Sequence, residues 1–293
     1  MKDIVLNNGN PIPVVGLGTW LIDNDKVAEV IKTAVKLGYR HIDTAQAYEN
    51  EEGVGKGIRE CGVSREELFV TTKVMAELKS YDSAYRSVIK SLEKMGLDYL
   101  DLILIHSPEP WREFRTSGKD YFKENAEVWR ALEELHSEGK VKAIGVSNFH
   151  ISDIENILKH CTVKPSVNQV LAHVGQVPFE LIDYCRKNDI LVEAYSPIAH
   201  GEAGRLEEVN EIAEKYGKTF AQICLKYLIQ LGMVVLPKAS SEKHLSNNYD
   251  LDFVITDEDM QVLNSVKPLD DYGAHDFFPV FRHSGERQPS RKR

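Results

Sequence analysis

The 293-residue sequence predicts an α/β fold, a closed (β/α)8 barrel with a β-hairpin ahead of its first strand. Three observations carry that expectation. Eight short β-rich runs alternate with amphipathic segments, several of those runs are apolar throughout, and no Pro/Gly/Ser-rich linker divides the chain. Strand–helix alternation implies a parallel sheet with right-handed crossovers, and unbroken apolar runs suit strands covered on both faces. Eight such units close a TIM barrel, with a doubly wound open sheet as the competitor. Residues 1–293 are read as a single domain, with 270–293 as a C-terminal loop and tail.

The elements follow in order. "DIVLNNGNPIPV" reads as the hairpin, turning at Asn8-Gly9 and able to plug the N-terminal mouth of the barrel. The strand runs are "VVGLG" (14–18), "RHIDT" (40–44), "LFVTT" (68–72), "LDLILI" (100–105), "VKAIGV" (141–146), "PSVNQV" (165–170), "ILVEA" (190–194) and "MVVLP" (233–237). Between them, Val27, Val30, Ile31, Ala34 and Val35 share one helical face, as do Ala84, Val88, Leu92 and Met95. Trp129, Leu132 and Leu135 repeat the pattern, and so do Phe220, Ile223, Cys224, Tyr227 and Leu228. Gly38, Gly96 and Gly139 stand where helices end in a left-handed residue, and Ser152 before Asp153 and Glu155 reads as a helix start. Two strand-to-helix connections are long, 106–121 and 195–205, and long loops at that end of a barrel form its ligand site.

Composition narrows the partners. The formal net charge is −9, which argues against nucleic acid, and the only basic cluster is the solvated tail Arg282–Arg293. Four widely spaced cysteines without a Cys-x-x-Cys argue against a disulfide framework or a zinc site and fit a reducing cytosol, and no metal is expected. The N-terminal stretch lacks the apolar core of a signal peptide, and no run approaches the ~18 apolar residues of a membrane span. A cytoplasmic protein with no membrane partner is expected.

Barrel enzymes carry their chemistry at strand C-termini. The residues at or just past the eight runs are Thr19-Trp20, Asp43, Lys73, His106, Ser147-Asn148, Gln169, Tyr195-Ser196 and Lys238. Taken singly, each is an ordinary polar strand end. Asp43, Lys73 and His106 come from three adjacent strands, and Tyr48 follows Asp43 by five residues. A tyrosine of ordinary pKa near 10 is a proton-loaded but reluctant acid. A neighbouring Lys73 ammonium would favour the phenolate, Asp43 would keep Lys73 charged, and His106 would hydrogen-bond a substrate oxygen. Such a set stabilises an oxyanion and protonates it, as carbonyl reduction requires. Side chains supply no hydride, so a nicotinamide or flavin is implied. Neither "GLGTWL" (16–21) nor "GVGKGI" (53–58) is a Rossmann fingerprint, so the nucleotide must use strand ends and helix N-termini, with "YSP" (195–197) and "LPKASS" (236–241) as candidates.

Over about Met1 to Lys267 the chain closely resembles the aldo-keto reductase family. The matching stretches are "VVGLGTW", "GYRHIDTAQAYENEEGVGKGI", "LFVTTKV", "LDLILIHSP", "GKVKAIGVSNF", "VNQV", "EAYSPI" and "VVLPKASSEKHLSNN". The resemblance implies NADPH-dependent reduction of aldehydes and ketones on a (β/α)8 barrel. It implies a tetrad of Asp43, Tyr48, Lys73 and His106, with Tyr48 the proton donor, Lys73 held by Asp43, and His106 orienting the carbonyl. It also implies that Ser147, Asn148 and Gln169 bind the nicotinamide carboxamide, with Tyr195 stacking on its ring. Thr19, Trp20, Asp43, Ser196, Pro197 and Ile198 would lie along the cofactor, and Lys238, Ser240, Ser241, His244 and Asn248 around the adenosine end.

The chain departs from the family pattern in places. Ala239 replaces the serine of "PKS", and His244 stands where an arginine is expected. Arginine grips a phosphate bidentately and is always charged, so NADH competes with NADPH as the expected cofactor. "NQVLAHVG" replaces "NQIEYHP", which predicts altered packing near the seventh barrel strand. "HSP" replaces "HWP", leaving Trp20 and Trp111, with Phe114, to line the substrate pocket beside Tyr48 and His106. The loops 106–121 and 198–205 and the segment 270–283 set that pocket. A small-molecule carbonyl substrate and a monomer are the expected state. A cofactor-sensing protein with little turnover is the alternative, and a phosphate-handling barrel isomerase lacks its glycine-rich cradle.

Overall fold

The computed structural model describes residues 3–269 and 271–281. The strands are β1 (Ile4–Val5), β2 (Pro11–Ile12), β3 (Gly16–Gly18), β4 (His41–Asp43), β5 (Phe69–Val74), β6 (Leu100–Ile105), β7 (Val141–Ser147), β8 (Val167–Leu171), β9 (Leu191–Tyr195) and β10 (Val234–Leu236). The helices are α1 (Val27–Lys36), α2 (Glu51–Glu60), α3 (Tyr81–Met95), α4 (Phe122–Ser137), α5 (Ile151–His160), α6 (Phe179–Lys187), α7 (Glu207–Tyr216), α8 (Phe220–Gln230), α9 (Glu242–Tyr249) and α10 (Asp257–Ser265).

Strands β3 to β10 pair in parallel in sequence order. The sheet closes where Val15 bridges Val235 and Gly18 bridges Lys238, with Val235 N–H donating to Val14 O at 2.9 Å and Gly18 N–H to Pro237 O at 3.1 Å. The eight expected runs are thus the eight barrel strands, and the open sheet is excluded. Apolar helix faces pack on the outside of this sheet in one continuous cluster that includes Val30, Ile31, Val88, Leu92, Trp129, Leu132, Ile223 and Leu228.

Helix α2 approaches α3 and the turn before α1 closely because of two glycines of "GVGKGI". A Cβ at Gly53 would lie 2.0 Å from Asn24 O, and one at Gly55 would lie 2.1 Å from Met95 O. They are packing glycines. Ser152 does not start α5. His150 does, in a capping box with Asp153, and Ser152 lies inside the first turn.

The hairpin plugs the bottom of the barrel. Leu6 and Ile12 pack with inward-facing Phe69, Leu102, Leu104, Ala143, Val167, Val234 and Leu236. Its tip is tied down by Asn7 Nδ2 donating to Pro165 O at 2.8 Å and Asn8 Nδ2 to Lys142 O at 2.9 Å. Ile12 is fully buried in this plug. Replacing Ile12 with Ala is expected to lower unfolding free energy by about 3 kcal/mol, read as a reduced urea midpoint at unchanged slope. A loss below about 1 kcal/mol would mean that the plug relaxes around the void.

Candidate active site

Above the apolar plug, inward-facing positions turn polar. Strand alternation points His41 and Asp43 of β4 inward, with Thr71 and Lys73 of β5, Gln169 of β8 and Glu193 of β9. Asp43 ends β4, and His106 follows β6 directly. Lys73 lies one residue inside the end of β5 and Gln169 two inside the end of β8, deeper than the sequence runs placed them.

Tyr48 comes from a 3-10 turn, Gln46–Tyr48, between β4 and α2. Two residues without an assigned purpose in the sequence hold that turn. Gln46 Nε2 donates to Ser87 Oγ at 3.1 Å and Ser91 Oγ at 3.0 Å, while its Oε1 accepts from Met75 N–H at 3.0 Å. Buried Asn50 donates to Thr19 O at 2.9 Å and Ile22 O at 3.0 Å and accepts from Thr44 Oγ1 at 2.7 Å. Side-chain amides make such pins because each carries two donors and an acceptor.

Lys73 Nζ lies 2.6 Å from Asp43 Oδ1, donates to Thr44 O at 2.8 Å, and reaches Tyr48 Oη at 3.5 Å. Burial works against the Lys73 ammonium, but Asp43, Tyr48 and Glu193 outweigh it and raise its pKa above the ordinary lysine value. Lys73 therefore stays charged. Burial pushes the Tyr48 phenol up as well, and Lys73 only opposes that rise. The expectation that Lys73 sets the net direction is corrected here: desolvation wins, and Tyr48 holds its proton at neutral pH.

His106 lies edge-on to Tyr48, with ring centroids 5.8 Å apart, and to Trp111 at 5.2 Å. Burial, reinforced by Lys73, holds its pKa well below the ordinary value, so the ring is neutral. Its Nδ1 is buried with no hydrogen-bond partner among the described residues. An orphaned N–H is costlier than an orphaned lone pair, which favours the tautomer with the proton on Nε2.

These groups open into one cleft. Its lining includes Trp20, Asp43, Tyr48, His106, Trp111, Ser147, Asn148, Gln169, Tyr195, Ser196, Pro197, Ile198 and Lys238. Thr19 does not reach it: fully buried, it hydrogen-bonds Asp43 O with both N–H and Oγ1 at 3.0 Å. Ser240, Ser241, His244 and Asn248 lie outside the lining, on α9 and the turn before it. Phe114 stands behind Trp111, at 5.5 Å between ring centroids.

At the nicotinamide end expected from the sequence, Asn148 Nδ2 donates to His106 O at 3.0 Å and Ser147 Oγ at 3.1 Å, and Asn148 Oδ1 accepts from Tyr195 Oη at 2.6 Å. These bonds hold Asn148 at φ 61°, a left-handed conformation that non-glycine residues keep only where their surroundings enforce it. Gln169 donates from Nε2 to Asp43 Oδ2 and to Glu193 Oε2, each at 2.9 Å. With both its donors spent, Gln169 presents Oε1 to a ligand. An acceptor of this kind beside the Tyr195 ring fits a carboxamide NH2 on a flat heteroaromatic ring.

The C-terminal segment completes the cleft with His275, Phe278 and Phe281, as the sequence expected for 270–283 within the described residues. Phe278 packs on Trp111 at 4.8 Å and on Trp20 at 5.7 Å, and His275 stacks on His200 at 3.9 Å. Buried His173, just after β8, ties this segment down through Tyr272 Oη at 2.9 Å from its Nε2. The basic tail Arg282–Arg293 lies outside the described residues.

The model of the Aldo/keto reductase family matches residues 14–268. The chain belongs to this family. It is 45% identical over 269 residues to glyoxal reductase of Bacillus subtilis (strain 168), covering 91% of this chain and 93% of that protein. It is 37% identical over 270 residues to methylglyoxal reductase DkgA of Escherichia coli (strain K12), covering 91% and 93%. Among solved structures, it is similar to the Bombyx mori aldo-keto reductase AKR2E4 in complex with NADP, with a TM-score of 0.83 and 32% identity over 96% of this chain and 98% of that one. This aldo/keto reductase is therefore an oxidoreductase of the carbonyl-reducing class. Among its described residues no helix is long and apolar enough to cross a membrane.

Proposed function

We propose that this chain reduces small aldehydes and ketones, α-dicarbonyls such as glyoxal among them, with NADPH as reductant. The observation that carries this is the Asp43–Lys73–Tyr48 line ending beside a neutral His106 at the floor of an aromatic-walled cleft. When bound, the nicotinamide supplies hydride to the carbonyl carbon. His106 Nε2–H and Tyr48 Oη–H converge on the carbonyl oxygen and stabilise the charge that develops there. Tyr48 then gives its proton to the alkoxide, and the Lys73 ammonium, anchored by Asp43, stabilises the phenolate left behind. Trp20, Trp111 and Phe278 shield the reacting centre from water.

Asn148 and Gln169 would take the carboxamide and Tyr195 the ring face. Relatives named glyoxal and methylglyoxal reductase support the choice of small dicarbonyls. A panel of aldehydes and ketones assayed with NADPH and with NADH, following loss of reduced cofactor, tests this reading. Cofactor binding without oxidation by any of them would instead favour the sensor reading, against which the complete tetrad stands.

The preference for NADPH rests on Lys238, which lines the cleft, and on the NADP complex of the similar Bombyx mori enzyme. Beyond Lys238, Ser241 caps α9, accepting from His244 N–H at 3.3 Å, and His244 is exposed in the first turn. Glu242, in that same turn, adds negative charge where a 2′-phosphate would approach. Replacing His244 with Arg is expected to tighten NADPH relative to NADH by about tenfold, read as the ratio of the two dissociation constants. An unchanged ratio would place the 2′-phosphate elsewhere.

A further inference from the structure

Glu193 is a charged residue type in the middle of a barrel strand, fully buried, and the proton-transfer line does not use it. It is in register with Gln169 on the neighbouring strand β8. Gln169 Nε2 donates one hydrogen to Glu193 Oε2 and the other to Asp43 Oδ2, both at 2.9 Å. Two acceptors for two hydrogens leave one arrangement of this amide. Flipped, its carbonyl oxygen would face the ionised Asp43 carboxylate, losing that bond and meeting its negative charge. With Asp43 alone as acceptor, the amide would be held by a single bond.

We propose that Glu193 is a positioning residue: it fixes the Gln169 amide with Oε1 toward the cleft, and through that amide it braces the Asp43 carboxylate that holds Lys73. The proposal rests on the reading of Gln169 as a ligand of the nicotinamide carboxamide.

The charges around Glu193 give it a second consequence. The titratable groups facing it are Asp43 and His41 from β4 and Lys73 from β5. Burial, and then Asp43, push Glu193 up to about 8, while burial holds His41 down at about 4. The 3.9 Å approach of His41 Nε2 to Glu193 Oε1 thus joins two neutral groups at pH 7. Among the described residues, Asp43 is then the only negative charge against Lys73 in this layer. Above about pH 8 Glu193 ionises and adds a second. That charge acts on Lys73 and offsets the ammonium that stabilises the Tyr48 phenolate, which slows proton donation.

The test compares wild type with Glu193→Gln, Glu193→Leu and Gln169→Ala. Dissociation constants for NADPH and NADH are measured at pH 7, and kcat from pH 6 to 10. Glu193→Gln keeps an acceptor oxygen and cannot ionise. It is expected to bind both cofactors as wild type does, and to lose the fall in kcat above pH 8. Glu193→Leu, with no acceptor, is expected to weaken NADPH and NADH by the same factor, on the order of tenfold, because both share the nicotinamide end. Cofactor binding in Glu193→Leu equal to wild type, with Gln169→Ala weakened, would overturn the Glu193 proposal alone. Wild-type binding in Gln169→Ala would overturn the ligand reading and the proposal with it. An alkaline limb unchanged in Glu193→Gln would overturn the electrostatic half, and that variant conserves shape should the leucine variant fail to fold.

Discussion

Tyr48→Phe is expected to bind NADPH as wild type does and to reduce glyoxal about a thousandfold more slowly, the range that a positioned general acid contributes. The substitution removes only Oη. The ring keeps its edge-on packing against His106, and Lys73 keeps its contacts to Asp43 Oδ1 and Thr44 O, so the fold and the cleft survive. What is lost is the proton that must reach the alkoxide. His106 cannot replace it from solution, because burial and Lys73 keep its ring neutral. Cofactor affinity by fluorescence titration and kcat by cofactor oxidation separate the two effects. Turnover within tenfold of wild type would remove Tyr48 from the role of acid.

Lys73→Met is expected to abolish turnover and also to destabilise the protein, by about 3–5 kcal/mol, the usual result of stripping a buried charge of its partner. Asp43 would remain buried with only the Gln169 amide to satisfy it, its other oxygen having lost the 2.6 Å contact to Nζ. The double variant Lys73→Met, Asp43→Asn should regain most of the lost stability and none of the activity. That divergence is the informative part. A double variant as unstable as the single one would mean that Lys73 contributes packing rather than charge compensation. Urea unfolding of the wild type, both single variants and the double variant closes the cycle.

The barrel was legible because its signals are local. Apolar runs of five or six residues, amphipathic segments between them and glycines at helix ends follow from periods of 2 and 3.6 along the chain. The same regularity puts polar residues at strand ends, which is why Asp43, Lys73 and His106 could be picked out and why the structure finds them side by side. The spacing of five from Asp43 to Tyr48 survives as one short turn.

Other features depended on partners far away in sequence. Gln46 reaches Ser87 and Ser91, and nothing near Gln46 announces that. Glu193 looked like an ordinary member of "ILVEA", although a glutamate amid apolar strand residues was the available signal; its meaning needs the register that sets it opposite Gln169. Phe278 and His275 lie far beyond the last strand, yet they complete the wall facing Trp20 and Trp111. The helix start at His150 rather than Ser152 turned on which side chain could reach back to the first free N–H groups.

The sequence alone determined the barrel, the order of its strands and the residue types at its mouth, because hydrophobic period and strand-end position are written along the chain. Tertiary structure decided the protonation states of those residues. Burial raises Tyr48 despite a neighbouring ammonium, and it keeps His106 and Glu193 neutral at pH 7. Desolvation depends on everything that surrounds a group in space, and no window of sequence contains it.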